Sequence, residues 1–168
     1  MTSRPRLTQE RLREILHYDP ETGEFRWLQR MSNRAKVGDI AGSAAEGGYR
    51  RMRIAGRSYR AHQLAWLYMT GEWGRPTIDH RDRDPANNRW SNLRRATQSN
   101  NNANRRRQRD NTSGFKGVHF DRKSERWIAR LGKNGRSFYL GRFATAQAAH
   151  EAYVAAAREL FGEFARAE

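Results

Sequence analysis

Between Ile78 and Asn104 the chain reads IDHRDRDPANNRWSNLRRATQSNNNAN, bringing one histidine, an adjoining carboxylate and several asparagines into a short stretch. His80 follows Asp79 directly, Asn92 stands twelve residues further on, and Asn101 nine beyond that. A neutral imidazole, with an ordinary pKa near ~6.5, can take a proton from water around neutral pH. A hard divalent cation needs oxygens from only one or two side chains and keeps its other positions for water and phosphate. Asp79 and an asparagine carbonyl are donors of that kind. Such a set suits phosphodiester hydrolysis, in which a base activates water and a cation offsets the charge developing on phosphate. The same residues also suit a hydrogen-bonded polar turn, since Asp and Asn side chains close turns on their own backbone. The acidic loop with Asp82, Asp84, Asn87 and Asn88 lacks the central glycine and final glutamate of an EF-hand and is not a calcium loop of that type.

Placing these side chains requires a strand at Thr77 to His80, an irregular polar loop, a second strand near Leu93 to Ala96 and a helix from about Thr97. Neighbouring strand residues point to opposite faces, so Asp79 and His80 share a site only where the strand ends or distorts; a distortion is expected there. A helix start near Thr97 aims unpaired backbone N–H groups at a phosphate. Upstream, GYRRMRIAGRSYRA predicts a hairpin dense in exposed arginine, and HQLAWLYMTGEW a buried helix ending near Gly71. His62 opens that helix and reads first as a helix-start residue with satisfied hydrogen bonds, second as a phosphate contact or a support for the site. Further back, Thr8 caps a short amphipathic helix carrying Leu12, Ile15 and Leu16, and Phe25 and Trp27 alternate as in a strand. That region reads as scaffold.

The C-terminal third predicts strands over Lys116 to Phe120, Arg126 to Leu131 and Ser137 to Arg142, the last two joined by the hairpin dipeptide Asn134-Gly135. Thr145 caps a helix with Ala149, Ala152, Tyr153, Ala156 and Leu160 on one side, ending at Gly162. Alternation turns Trp127, Ala129 and Leu131 toward that helix and leaves Arg126, Ile128 and Arg130 outward, joined by Ser137, Tyr139, Lys116 and His119. Arg130 suits base edges, while Lys116 and Arg126 suit phosphates. The run Arg105, Arg106, Arg107 and Arg109 is read as phosphate-contacting.

Composition narrows the partner. Lysine and arginine number 33 against 18 acidic residues among 168, a formal charge of +15 that calls for a polyanion. The hydrophobic share of 36% supports compact cores of one or two small domains. Cysteine is absent, which excludes disulfides, thiolate nucleophiles and cysteine-held zinc, and no two histidines stand at helical metal spacing. No apolar run approaches the roughly 18 residues of a spanning helix. The expected location is the cytoplasm of a bacterial or phage-infected cell, associated with the nucleoid.

The Asp-His pair, the Ser91-Asn92-Leu93 segment, Asn101 and the upstream RAHQLAW stretch together resemble the HNH nuclease motif, in the ββα-metal fold shared with phage and intron homing endonucleases. The resemblance covers roughly Tyr49 to Arg105. It implies that His80 is the base, that Asn92 orients the imidazole through its ring nitrogen, and that Asp79 and Asn101 hold one divalent cation. Asn100, Asn102 and Asn104 flank Asn101, and a register shift of one residue would rotate another side chain into its place. Where the family often has glycine after the histidine, this chain has Arg83. Ser113 to Ala165 resembles the plant Apetala and ethylene-response-factor DNA-binding domain, through Lys116-Gly117-Val118, Trp127-Ile128-Ala129, Tyr139-Leu140-Gly141-Arg142-Phe143 and Thr145-Ala146. In that family the sheet enters the major groove. Tyr139 stands where it commonly has tryptophan, so base specificity does not carry over.

The expected fold is therefore α+β: a ββα-metal HNH core followed by a small three-stranded antiparallel sheet packed on one helix. Residues 1–48 are expected as scaffold, 49–106 as the nuclease domain, 107–112 as a basic linker and 113–168 as the second DNA-binding domain. The expected function is a metal-dependent DNA endonuclease, homing-type or phage-encoded and nicking, with a non-catalytic DNA-binding regulator as the alternative. Its cofactor would be one Mg2+ or Mn2+ per site with no structural zinc. Its partner would be double-stranded DNA, with homodimers allowed and neither membrane nor small-molecule cofactor involved.

Overall fold

A computed structural model describes residues 7–74, 77–104 and 111–166, so the basic run Arg105, Arg106, Arg107 and Arg109 lies outside the described residues. Among the described residues the fold is mixed α and β, with four α-helices and several small antiparallel sheets. It divides into two compact units, Met1–Arg95 and Ala96–Glu168.

In the first unit, α1 (Gln9–Ile15) begins where the Thr8 hydroxyl accepts from the Arg11 N–H at 3.2 Å. β1 (Leu16–Tyr18) follows and pairs antiparallel with β2 (Phe25–Trp27). Leu16, Tyr18, Phe25 and Trp27 are buried while His17 and Arg26 are exposed, the period of two that a half-covered hairpin requires. β3 (Ser43–Ala44), β4 (Arg50–Ile54) and β5 (Arg57–Arg60) form an antiparallel sheet in that order. α2 (Ala61–Thr70) ends at Gly71, whose left-handed backbone returns its N–H to the Leu67 carbonyl. Leu64 and Leu67 of α2 join Leu12, Ile15, Phe25, Met52 and Ile54 in one core, each buried side chain contributing about 1.5–3 kcal/mol. Upon this core rest β6 (Thr77–His80) and its partner β7 (Leu93–Ala96), separated by the polar loop and a short 3-10 turn at Trp90–Asn92.

The β1–β2 hairpin also holds that loop. Gly23 (φ 76°) passes so close that a Cβ would lie 2.5 Å from both the Asn88 carbonyl carbon and the Arg89 nitrogen. Trp90 N–H donates to the Pro20 carbonyl at 3.0 Å, and the buried Tyr18 hydroxyl donates to the Asn88 carbonyl at 2.7 Å.

The second unit contains α3 (Gln98–Asn104), β8 (Val118–Asp121), β9 (Arg126–Lys133), β10 (Arg136–Phe143) and α4 (Ala146–Phe161). The three strands form an antiparallel sheet with β9 central. Asn134 and Gly135 turn the β9–β10 hairpin with positive φ at both positions, 52° and 76°. The Thr145 hydroxyl caps α4 by accepting from the Ala148 N–H at 3.1 Å. The buried stripe of α4 is Ala149, Tyr153, Ala157 and Phe161. It is rotated from the expected one, because Ala152, Ala156 and Leu160 are only half-buried. α3 packs against α4 and β9, with Ala103 in a cluster with Ala96, Leu131 and Tyr153.

Candidate active site

β6 terminates at His80, and its last three residues, Ile78, Asp79 and His80, are all buried, so strand alternation fails where the chemistry is concentrated. Asp79 Oδ2 accepts from Arg94 Nε on β7 at 3.0 Å, with Arg94 Nη2 at 2.9 Å; both side chains are buried. Two opposite charges withdrawn from water need each other, since the desolvation of either is expensive alone.

Beside this pair, His80 Nε2 lies 3.3 Å from Asn88 Oδ1. Asn88 is itself buried, and its Nδ2 donates to the Ala86 carbonyl at 2.9 Å, which turns the amide oxygen toward the ring. An amide oxygen only accepts, so Nε2 carries the ring proton and Nδ1 is the basic nitrogen. Burial depresses the pKa of His80, opposed by the Asn88 hydrogen bond and the carboxylates of Asp82, Asp79 and Asp84. The net direction is downward, so the ring is neutral near neutral pH, the form a general base requires.

The imidazole packs in an aromatic group. His62 stands edge-on to it, centroids 4.9 Å apart and planes at 88°. The Tyr49 ring lies 5.5 Å from His62 and 6.2 Å from His80, and the Arg60 guanidinium covers Tyr49 at 4.5 Å. Burial first, then His80 and Arg60, push the His62 pKa down to about 3. Its Nδ1 is buried and has no hydrogen-bond partner among the described residues. The expectation of a satisfied helix-start histidine thus does not hold for Nδ1.

The side chain of Asn92 is committed elsewhere than the imidazole. Its Oδ1 accepts from Asp82 N–H at 3.0 Å, and its Nδ2 donates to Asp82 Oδ1 at 2.9 Å and to the Asn87 carbonyl at 2.8 Å. The physical reason is the loop between the strands, which folds back over Asn92 and sets Asn88 against the ring instead. Burial works to raise the Asp82 carboxyl, but the Asp84 N–H and the Asn87 and Asn92 amides outweigh it and hold it below the usual range. Asp82 is therefore the anion around which the loop is organised. Arg83 takes φ 67° in the left-handed region.

In the second unit, Thr97 opens α3, its hydroxyl accepting from the Asn100 N–H at 3.0 Å. Asn102 is exposed and bonded to Gln98, and the buried Asn104 accepts from Arg166. Asn100 and Asn101 are half-buried, and their side chains make no hydrogen bond among the described residues, which leaves these two as the amides open to another role.

Asp79 is chemically suited to a hard divalent cation, because it offers an anionic oxygen donor one residue from the base and such ions need few protein ligands. It would share its charge between that cation and Arg94.

On the C-terminal sheet, register sets Tyr139 opposite Arg130, His119 and Arg142 either side of Ile128, and Asp121 opposite Arg126. His119, Arg126, Arg130 and Tyr139 are exposed on the face turned from α4, Tyr139 by 55%. Ile128 belongs to that face by alternation but is buried, since its cross-strand neighbours His119 and Arg142 flank it. Lys116 differs from its expected place. It precedes β8, and its ammonium donates to the Ala103 carbonyl in the last turn of α3, which keeps it off the outward face.

The site is thus a buried histidine that follows a carboxylate at the end of a strand braced by a polar loop. Residues 59–103 match the family model of the HNH endonucleases, and residues 113–163 match that of the AP2 domain, so the chain carries an HNH endonuclease domain followed by an AP2 domain. The HNH match ends within α3, the helix that packs with the second unit. No curated protein and no solved structure matches the chain.

Sequence reasoning did not single out Asn88, Arg94 or Tyr49. Asn88 was one of several loop asparagines without periodic pattern. Arg94 sits between buried Leu93 and exposed Arg95 in a strand of four, and nothing in its type marks it as buried. Tyr49 stands at the start of the arginine-rich hairpin segment and carried no spacing signal toward His80.

Proposed function

We propose that this chain is a metal-dependent DNA endonuclease, homing-type or phage-encoded, that nicks one strand and uses its AP2 domain to favour particular sites. The observation that carries this reading is the neutral His80 imidazole, with its proton held on Nε2 by Asn88 and Nδ1 basic, directly beside Asp79. In this reading His80 Nδ1 takes the proton from the attacking water, Asn88 keeps the tautomer, and His62 and Tyr49 hold the ring plane. Asp79 would hold a divalent cation, Mg2+ or Mn2+, which when bound supplies charge to the phosphate oxygens in the transition state. The assignment of Asn101 as a second ligand rests on the resemblance and is tested by the metal dependence of Asn101→Ala. Asn92 acts by shaping the loop rather than by touching the base. His119, Arg126, Arg130 and Tyr139 present cationic, hydrogen-bonding and stacking groups suited to duplex DNA.

The test is nicking of supercoiled plasmid with Mg2+ or Mn2+. Wild-type protein should convert it to the open circular form, and His80→Ala should abolish conversion while salt-sensitive binding persists. Plasmid left supercoiled by the wild type across varied sequences, with binding intact, would instead favour a DNA-binding regulator.

A further inference from the structure

The outward face of the β3–β4–β5 sheet bears a cluster of cations that the His80 site does not use. Register sets Arg51 opposite Arg60 and Arg53 opposite Ser58, and β3 adds Ser43 opposite Arg51. Directly paired residues of antiparallel strands project from one face, and successive pairs alternate. Ser43, Arg51, Arg53, Ser58 and Arg60 therefore share a face, while Met52 and Ile54 turn into the core. All five outward residues are exposed.

Like charges placed directly across a strand pair destabilise it, and Arg51 faces Arg60 with no carboxylate among the five outward residues. Elsewhere in this unit arginines find acids: Arg11 with Glu14, Arg26 with Glu24, Arg95 with Glu72 and Arg94 with Asp79. The side chains of Arg51 and Arg53 have no ion pair or hydrogen bond among the described residues. Same-face residues on one strand lie about 6.7 Å apart, while each strand of DNA carries a phosphate per about 3.4 Å of axis. Three guanidiniums flanked by two hydroxyls thus complement a phosphate backbone in charge, at a spacing of about two phosphates along the axis of one strand.

The face also continues to the base. Arg60 covers Tyr49, and Tyr49 abuts His62 and His80. We propose that Arg51, Arg53 and Arg60 bind the sugar-phosphate backbone of duplex DNA beside the phosphate presented to His80, a reading that rests on the nuclease assignment.

The experiment measures affinity for a labelled DNA duplex across a range of KCl, using full-length protein with His80→Ala to prevent cleavage. Adding Arg51→Gln and Arg53→Gln should flatten the dependence of log K on log salt by about 1.8, at roughly 0.9 for each phosphate no longer neutralised. Arg51→Lys with Arg53→Lys should restore most of the slope. Arg11→Gln with Arg26→Gln removes the same formal charge from arginines already paired with glutamates and should leave it unchanged. Equal slopes for the two glutamine pairs would overturn the proposal, and so would a duplex RNA that outcompetes the DNA. Those failures are separable from failure of the nuclease reading, which is decided by plasmid nicking with wild-type protein.

Discussion

His62 presents the edge of its imidazole to the ring of His80 at 88°, with centroids 4.9 Å apart. The contact bears on the plane of the proposed base through the ring itself, while Nε2 meets Asn88.

His62→Ala removes that wall. Single-turnover nicking should slow by roughly tenfold with little change in KM, because misplacing a reacting group raises the barrier without loosening substrate binding. His62→Phe keeps an aromatic edge and should recover most of the rate. It also replaces a buried nitrogen that has no partner among the described residues, so its stability should rise by about 1 kcal/mol. A rate for His62→Phe no better than for His62→Ala would remove the positioning role.

Acid should weaken the fold through the same residue. The folded pKa of His62 is about 3 against an ordinary 6.5. Between those values the unfolded chain binds a proton that the folded chain refuses, so the contribution is complete above 6.5 and is lost as pH falls toward 3. His80 shifts in the same direction. Urea midpoints of the wild type should therefore decline from neutral pH into mild acid, and the gradient should be shallower in His62→Phe.

Breaking the Asp79–Arg94 pair is expected to cost more than any surface change. Arg94→Met strands a carboxylate in a buried setting and should destabilise by about 3–5 kcal/mol. Asp79→Ala in the same protein removes that stranded charge and should return part of the loss. Denaturant melts of Arg94→Met, Asp79→Ala and the double variant form the cycle with the wild type, and additive losses would show that the pair is not coupled.

Arg83→Gly should stabilise. The residue holds φ 67°, a backbone region that costs a non-glycine residue about 1–2 kcal/mol, partly offset by the greater freedom of glycine in the unfolded chain. A net gain of about 0.5–1 kcal/mol in thermal melts is expected.

Gly117→Ala tests the second unit. At φ 71° a Cβ would meet the Tyr153 ring at 2.4 Å and the Arg130 carbonyl at 2.6 Å. Overpacking against backbone and a buried ring should cost about 2 kcal/mol or more, read from unfolding of the full chain, with loss of duplex affinity following the loss of the sheet.

The elements that position the site were legible because their signals are local. Thr8 and Thr145 cap helices where expected, Gly71 ends one, and Asn134-Gly135 turns a hairpin. Asp79 and His80 stood out because an adjoining acid and imidazole at a strand end have a stated chemistry. Asn88 did not, since the asparagine that meets His80 is chosen by how the loop between β6 and β7 folds, and that depends on Tyr18 and Gly23, far earlier in the chain. The burial of Arg94 similarly depends on a partner fifteen residues away across β6 and β7. In the C-terminal sheet, alternation gave the faces correctly for Arg130 and Ala129 but could not reveal that His119 and Arg142 flank Ile128.

The packing of α3 on α4 and β9 fixes where the two halves of this chain can be exchanged with others. A graft made at the border between the two family matches would leave the methyl of Ala103 facing water and Asn104 without Arg166. A chimera that starts its donated segment at Ala96 carries α3 along with the surfaces of α4 and β9 on which it packs.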